Sequence, residues 1–455
     1  MFIKKQLVFF FMLSFAHAAF ADDGYRLWLR YDKISNQMLA EKYKKQIRQL
    51  YISGNSLIIE KAKFEFTVAI QGLLGKTPSF ANTIVTDGTI IAGTISSNQL
   101  LRALNPKELK NAGDEAFYIT TIQVNKKSCI LICGNSDVGV LYGVFHFLRL
   151  LKTEQDITKL DILSSPKIKY RLLNHWDNLN RTVERGYAGA SIWDWHKLPD
   201  YIDQRYIDYA RANASIGING TVLTNVNANA TILTPQYLVK VAALANVFRP
   251  YGIKIFLTAR FSAPIEIGGL KTADPLDTAV QNWWKQKVKE IYTFIPDFGG
   301  FLIKANSEGQ PGPQDYHRTH ADGANMFADA LAHYHGIVMW RAFVYSQQST
   351  DRFKQAYEEF TPLDGQFKSN VILQVKNGPI DFQPREPFSP LFGAMPKTPL
   401  AMEFQLTQEY LGQGTHLVFE APLFKEVLNA DQFARYQEHE QQMKEKQRER
   451  RGMRM

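Results

Sequence analysis

One pattern restricts the fold of this chain more than any other: in its second part, short apolar segments alternate with helical stretches. The seven segments are Tyr170 to Leu173, Gly220 to Leu223, Ile253 to Thr258, Gly300 to Ile303, Ile337 to Val344, Val371 to Val375 and Ala401 to Leu406. Strands that alternate with helices are typical of a parallel sheet, and this many units predict an α/β fold, a (β/α)8 barrel of the TIM type. In such a barrel the carboxyl ends of the strands form the active face.

The apolar segment needed for an eighth strand is not evident. After Thr415 the sequence offers a helical stretch around Phe424 to Tyr436 and then a charge-dense tail, residues 437–455. Because the tail contains no apolar run, we expect residues 156–436 to form an incomplete catalytic barrel without an eighth strand.

Two further segments precede the barrel. Residues 1–21 combine Lys4 and Lys5 with an apolar run and the cleavage site Ala19-Phe20-Ala21. This pattern predicts a signal peptide and a periplasmic or secreted protein without a membrane anchor. Residues 22–155 are predicted to form an α/β accessory domain. Its strand-like runs are Leu57 to Ile59, Phe64 to Ile70, Phe117 to Val124 and Cys129 to Cys133, and its helical stretch is Val138 to Leu151.

Cysteine content and charge narrow the classes of function. The only cysteines, Cys129 and Cys133, lie four apart in one predicted strand, about 13 Å from each other, which is too far for a disulfide. The formal charge is +9, or +7 once Lys4 and Lys5 leave with the signal peptide. Since no nucleic-acid-binding motif accompanies this charge, it favours anionic substrates over nucleic acid. No zinc, nucleotide or nucleophile-elbow motif is present, so no metal or cofactor is expected.

A catalytic acid is predicted where Gly300 to Ile303 runs into Lys304 and Glu308 and then into Gly and Pro residues. Alternation along the strand places Lys304 on the face of Leu302, toward a barrel interior or a cleft. A lysine and a glutamate at a strand end could equally form a solvated ion pair, so this segment alone leaves both interpretations open.

Two sets of charged residues share this active face. The carboxylates that follow strand ends are Glu308, Asp381 and Glu409. Glycoside hydrolysis needs one such group protonated, to assist the leaving oxygen, and another ionised, to activate water or attack carbon. The cations at strand ends are Lys304, Arg341 and Lys376. They are suited to a carboxylate or phosphate ligand, or they could simply balance the charge of the acids.

Four longer motifs carry a specific resemblance to a known family. They are Asn174 to Asn178 (NHWDN), Lys304 to Pro313 (KANSEGQPGP), Gln374 to Phe382 (QVKNGPIDF) and Gln405 to Gly412 (QLTQEYLG). These motifs resemble those of the α-glucuronidases of glycoside hydrolase family 67, and the resemblance extends from Gly24 to about Asp431. It implies an inverting enzyme that removes (4-O-methyl)-glucuronic acid α-1,2-linked to the non-reducing xylose of oligosaccharides derived from glucuronoxylan.

The resemblance also implies residue roles. The general acid matches Glu308, the pair that activates water matches Asp381 and Glu409, and the groups that hold the uronic carboxylate match Lys304, Arg341 and Lys376. Among the remaining substrate-binding positions, Trp176 matches a sugar-packing residue, His175 precedes it in the same motif, and Val226 shapes the pocket near the methyl group. Trp176 could also be plain core at a strand end. Glu403 and Asp364 match no motif position and receive no role.

The resemblance implies that relatives continue through an eighth strand into a helical domain, which contributes contacts to the active site and a homodimer interface. Residues 437–455 do not resemble that region. The alternative function is therefore a truncated, inactive remnant that binds acidic xylo-oligosaccharides without turnover. A hexosaminidase-like barrel enzyme is a third hypothesis. The three cations disfavour it, because they suit a uronate better than a neutral amino sugar.

Overall fold

The computed structural model describes residues 23–84, 86–343, 351–380, 382, 386–406 and 419–430. The described residues up to Lys169, together with Asp208–Gly217, pack as one unit. Tyr170–Ile207 and the described residues from Ile218 onward form a second unit. Within the described part of the chain, no helix is long and apolar enough to cross a membrane. The predicted signal peptide (1–21) and charged tail (437–455) lie outside the described residues.

The first unit contains a six-stranded mixed sheet. Its helices are α1 (Gln37–Gln46), α2 (Leu57–Leu74), α3 (Gln99–Leu104) and α4 (Asp137–Lys152), and its strands are β1 (Gln49–Ile52), β2 (Ser79–Phe80), β3 (Thr89–Thr94), β4 (Phe117–Val124), β5 (Lys127–Gly134) and β6 (Asp161–Ser164). The strand order is β2-β1-β3-β5-β4-β6, in which β4 is antiparallel to both of its neighbours. Because β6 pairs with β4, this unit extends beyond residue 155. Both cysteines lie on β5 and are free.

One part of the sequence prediction for this unit is wrong. The runs Leu57 to Ile59 and Phe64 to Ile70, predicted as strand-like, belong to the single helix α2. The side chain of Ser56 caps the helix by accepting a hydrogen bond from the backbone N–H of Ile59, and Gly75 ends it with a left-handed φ of 62°. The buried residues recur at helical spacing, which dense apolar runs conceal in the sequence.

The second unit contains seven parallel strands in consecutive order. Its strands are β7 (Leu172–Asn174), β8 (Gly220–Val222), β9 (Lys254–Thr258), β10 (Gly300–Ile303), β11 (Ile337–Arg341), β12 (Val371–Lys376) and β13 (Leu400–Glu403). The helix between β7 and β8 is α5 (Gln204–Ala214), which belongs to the first unit from Asp208 onward. The helices that follow the later strands are α6 (Pro235–Phe248), α7 (Ala263–Glu266), α8 (Thr278–Phe294), α9 (His320–Ala332), α10 (Gln355–Phe360) and α11 (Ala421–Asn429). All seven predicted strands are confirmed, and the α/β fold is that of an incomplete (β/α)8 barrel. No eighth strand lies among the described residues.

Strand β10 shows how the two sides of this sheet differ. Phe301 faces the helices, with its ring centroid 5.9 Å from that of Trp284 on α8 and 6.0 Å from that of Phe327 on α9. Leu302 faces the other way and packs in an apolar cluster with side chains of β8, β9 and β11, including Phe256. Since side chains alternate along a strand, Lys304 lies beyond Leu302 on the same interior face, as the sequence predicted.

Candidate active site

A layer of charged side chains adjoins the apolar layer on the interior face of the second sheet. In the parallel register Leu302 lies beside Met339, and Arg341 lies beside Gln374. Residues two apart on a strand share a face, so Lys304 and Arg341 stand on the same face as Leu302 and Met339.

The two remaining strands extend this charged layer. Lys376 lies two residues after Gln374, and it is in register with Glu403 on β13. Lys304, Arg341, Lys376 and Glu403 therefore share one face, and all four are buried. The layer thus brings together the three cations predicted from the sequence, along with an acid to which the sequence assigned no role.

Arg341 is held by Glu403 and packs near Trp176. Its Nη2 donates to Oε1 and Oε2 of Glu403 at 3.2 and 3.1 Å, and its Nε donates to Oε2 at 3.3 Å. The guanidinium carbon lies 5.8 Å from the ring centroid of Trp176. Glu403 therefore fixes the orientation of the arginine fork, which otherwise has several rotamers to choose from.

Lys304 connects the charged layer to the predicted acid. Its ammonium donates to Glu308 Oε2 and, at 2.8 Å, to Oδ1 of Asn227 from the loop after β8. Arg185, from the loop after β7, donates to the other oxygen of Glu308 at 3.3 Å. Burial lowers the pKa of Lys304 below its usual value, and the positive charge of Arg341 acts in the same direction, while the carboxylate of Glu308 opposes both.

The loop that carries Glu308 is built by local hydrogen bonds. Glu308 has a left-handed φ of 49°, which is uncommon for a residue with a side chain. Asn306 braces the loop: its Oδ1 accepts from the N–H of Gln314 at 3.0 Å and its Nδ2 donates to Asp315 at 3.1 Å. A Cβ at Gly312 would lie 2.0 Å from Asn306 Oδ1, so only glycine fits there.

Lys376 lies in an aromatic environment. Its ammonium is 3.2 Å from the ring centroid of Phe343 and 4.7 Å from that of Phe382, at distances typical of cation–π contacts. Phe382 is adjacent to the predicted catalytic residue Asp381. The ring of Phe382 therefore lies near the end of β12.

The other predicted substrate-binding residues occupy two different places. Trp176 is half-buried against the interior apolar cluster, of which Val226 is a buried member. His175 packs on the ring of Trp193, with 5.3 Å between centroids, and its Nδ1 lies 3.6 Å from Oδ1 of Asp177. Trp176 and Val226 thus lie beside the charged layer, whereas the ring of His175 contacts Trp193 and Asp177 of the following loop.

The family model described as the glycosyl hydrolase family 67 N-terminus matches residues 27–147, and the model of the middle domain of that family matches residues 150–452. The chain belongs to glycoside hydrolase family 67. The family resemblance inferred from the four motifs is therefore confirmed.

Curated relatives named alpha-glucuronidase A match most of this chain. Alpha-glucuronidase A of Emericella nidulans is 42% identical over 433 residues, which cover 91% of this chain and 50% of the relative. The probable alpha-glucuronidase A of Aspergillus fumigatus is 40% identical over 430 residues, which cover 93% and 50%. The chain spans about half the length of the curated relatives it matches.

Two of the three predicted catalytic carboxylates, Asp381 and Glu409, lie outside the described residues, and their roles stay predictions. Among the residues whose positions are described, no group of three or more His, Cys, Asp or Glu side chains is placed to hold a metal ion. Glu308 is the predicted catalytic residue whose surroundings can be analysed.

Sequence reasoning missed three residues of this family 67 site. Glu403 received no role because it matches no motif position, yet a carboxylate on the interior face of a strand must pair with a cation, and this signal was available. Asn227 and Arg185 come from loops after β8 and β7. Their contacts with Lys304 and Glu308 depend on how distant loops meet, for which one sequence offers no signal.

Proposed function

We propose that this chain releases (4-O-methyl)-glucuronic acid, α-1,2-linked to the non-reducing xylose of xylo-oligosaccharides, with inversion of configuration. One observation carries the proposal: three buried cations, Lys304, Arg341 and Lys376, share the interior face at the ends of consecutive strands, next to the strand-end acid Glu308. The curated relatives named alpha-glucuronidase support the same substrate class.

The cations suit a uronic acid because buried positive charge needs anions nearby. Glu403 balances Arg341, and Glu308 contacts Lys304, so a substrate carboxylate would be a further anion for three cations. Each charge-assisted hydrogen bond to a uronate carboxylate contributes about 1.5–3 kcal/mol. A neutral hexose has no anionic group with which to bind these cations.

Glu308 is proposed as the general acid. In the structure Lys304 and Arg185 both contact it, and such cations favour a carboxylate over a carboxylic acid. A uronate bound to Lys304 competes for the same ammonium and weakens its hold on Glu308. Binding of the correct substrate therefore favours the protonated acid that the reaction needs.

The proposed reaction is a single displacement. Glu308 donates its proton to the glycosidic oxygen as the bond from that oxygen to C1 breaks, and the bonding electrons pass to the oxygen. Asp381 and Glu409, assigned from the family resemblance, take a proton from a water that attacks C1 from the opposite face. Inversion requires room for that water, so we expect the carboxyl groups to be roughly 6.5–9.5 Å apart.

A variant of Glu308 tests the assignment. Glu308→Gln should lower the release of uronic acid from an aldotriouronic acid by about 10²- to 10⁴-fold, because an amide cannot donate the proton. It should leave hydrolysis of 4-nitrophenyl α-D-glucuronide largely intact, since that leaving group needs no proton. Glu290→Gln, on the outer helix α8, is the control. Full activity of Glu308→Gln on the oligosaccharide would exclude Glu308 as the acid.

Export, homodimer formation and the binding-only alternative, all expected from the sequence, stay predictions. Export rests on the signal peptide of residues 1–21, and the homodimer is a property of the family. The binding-only alternative predicts that aldouronic acids bind to the wild-type chain and that no uronic acid is released.

A further inference from the structure

A buried histidine lies behind the loop that carries Glu308. His320 is the first residue of α9, and only 1% of its side chain is exposed. The ring of Phe360, on α10, stacks on its imidazole with 4.8 Å between centroids. Neither the proposed reaction nor the cation layer uses this side chain. A buried imidazole needs hydrogen-bond partners, so its contacts show what it holds in place.

Two partners fix the tautomer of His320. Trp340 lies on β11 one residue before Arg341, so its indole is on the face opposite the cation layer. The indole Nε1–H donates to Nδ1 of His320 at 3.2 Å. Because an indole N–H can only donate, Nδ1 accepts and the imidazole hydrogen is on Nε2. Nε2 donates in turn to Oε1 of Glu359, on α10, at 2.8 Å.

Glu359 connects this histidine to the chain that follows Glu308. Its Oε1 also accepts from the side-chain Nε2 of Gln314, so two donors share one carboxylate oxygen. The two donor nitrogens lie 3.4 Å apart, as neighbours around a common acceptor do. A carboxylate oxygen has two lone pairs and can accept both hydrogen bonds. Glu359 therefore joins α10 to α9 and to Gln314.

Gln314 extends the connection to the loop of the acid. Its backbone N–H donates to Oδ1 of Asn306 at 3.0 Å. Asn306 lies two residues before Glu308, and both have a left-handed φ of 49°. Such a conformation persists in residues with a side chain only where the surroundings impose it. The contacts of Asn306 are part of those surroundings, and one of them depends on where Gln314 is held.

Close packing around Gly323 supports the same connection. A Cβ at Gly323, on α9, would lie 2.8 Å from the ring of Trp340 and 3.0 Å from Cγ of Pro313. Pro313 immediately precedes Gln314 and is buried. Glycine at this position therefore lets the segment after Glu308 pack directly on the helix that carries His320.

We propose that His320, Glu359 and Gln314 form a positioning network, which holds the loop of Glu308 in the geometry from which this acid protonates the glycosidic oxygen. The proposal rests on the proposed function, because it takes Glu308 as the general acid. The three residues act through the loop and not through contact with the substrate. Loss of the network should therefore slow only substrates whose leaving group needs a proton.

Two variants interrupt the network at different points. Glu359→Leu removes the shared acceptor, whereas Gln314→Leu removes the side-chain link and keeps the backbone N–H that Asn306 accepts. Both should lower kcat for uronic acid release from an aldotriouronic acid, Glu359→Leu by up to about 100-fold, a loss that a displacement of about 1 Å can cause. KM for this substrate and the hydrolysis of 4-nitrophenyl α-D-glucuronide should stay nearly unchanged. The double variant should lose no more than Glu359→Leu alone, because both changes break one connection.

Two control variants separate positioning from charge and folding. Glu359→Gln keeps an oxygen that accepts from both donors, and it should retain most of the activity on the aldotriouronic acid. Glu358→Leu removes the same charge from the neighbouring, exposed position of α10 and should leave both substrates unaffected. Gln314 is exposed as well, so Gln314→Leu should fold even if Glu359→Leu does not.

Hydrogen exchange followed by mass spectrometry tests the network independently of activity. Peptides that cover residues 305–316 should exchange faster in Glu359→Leu and Gln314→Leu than in the wild type, and at the wild-type rate in Glu358→Leu. Unchanged exchange in this segment, equal losses of activity on both substrates, or a double variant that loses clearly more than Glu359→Leu would each overturn the proposal. If the wild type released no uronic acid from either substrate, the proposed function would fail, and the exchange rates would still decide whether the network holds the loop.

Discussion

Replacing Glu403 with glutamine should destabilise the second unit, because it leaves the guanidinium of Arg341 buried without its anionic partner. The side chains of Arg341 and Glu403 are 3% and 8% exposed, and three donor–acceptor pairs join them at 3.1 to 3.3 Å. Lys376, which is also buried, lies beside Glu403 in the strand register, so the carboxylate adjoins a second cation.

The size of the stability loss caused by Glu403→Gln follows from this geometry. Two unit charges 3.1 Å apart attract each other by about 5 kcal/mol at an effective dielectric constant of about 20. Glutamine keeps one oxygen acceptor for the guanidinium, so part of the interaction survives. Removal of one partner of a buried pair costs about 3–5 kcal/mol, and we expect the lower end, about 3 kcal/mol, for Glu403→Gln.

Urea denaturation followed by tryptophan fluorescence measures this loss. Of the seven tryptophans only Trp28 lies in the first unit, so the signal reports mainly on the second. Glu290→Gln is the control, because Glu290 pairs with Lys287 on the outer helix α8 with a third of its side chain exposed, and should cost less than about 1 kcal/mol. Equal losses for the two variants would refute the reasoning.

Three further predictions concern the charged layer and the loop of the acid. Lys376→Ala should lower kcat/KM for a uronate by roughly 10-fold or more, because it removes a charge-assisted contact worth about 1.5–3 kcal/mol. It should leave kcat/KM for a neutral glucosyl analogue nearly unchanged. Equal losses of kcat/KM on both substrates would mean that the cation serves the fold. Gly312→Ala should reduce turnover, because its Cβ would lie 2.0 Å from Asn306 Oδ1 and displace the loop that carries Glu308. Gly113→Ala is the control and should leave turnover unchanged, because the nearest atom to its Cβ, Oγ of Ser165, lies 3.4 Å away. Burial lowers the pKa of Lys304 from 10.5, so the unfolded chain binds more protons than the folded chain between that lowered pKa and pH 10.5. In this window the free energy of unfolding should rise with pH relative to that of Lys304→Met, and parallel pH profiles would contradict this.

The period-two pattern of β10 was enough to predict the face on which Lys304 stands. Phe301 and Leu302 have opposite environments in the structure, one against helices and one inside the sheet, and the position of Lys304 follows from theirs. The seven strands were predictable from another local pattern, because short apolar runs bounded by turn residues are typical of strands. Local pattern therefore explains both the sheet and the cations at its carboxyl ends.

Contacts between distant segments could not be predicted in this way. Arg341 and Glu403 lie on strands separated by β12, and their pairing depends on the register of two strand pairs. The contact between Asn227 and Lys304 depends on loop conformation. Helix α2 was misread for a local reason, since its apolar residues are so dense that they fit a strand as well as a helix.

Product analysis by ¹H NMR tests the central claim most directly. The purified chain is mixed with an aldotriouronic acid, and the anomeric signals of the free uronic acid are followed before mutarotation equilibrates them. An inverting enzyme that acts on an α-linkage gives the β-anomer first, and we predict its appearance together with xylobiose. Release of the α-anomer first would contradict inversion, and the absence of any free uronic acid would contradict the proposed function.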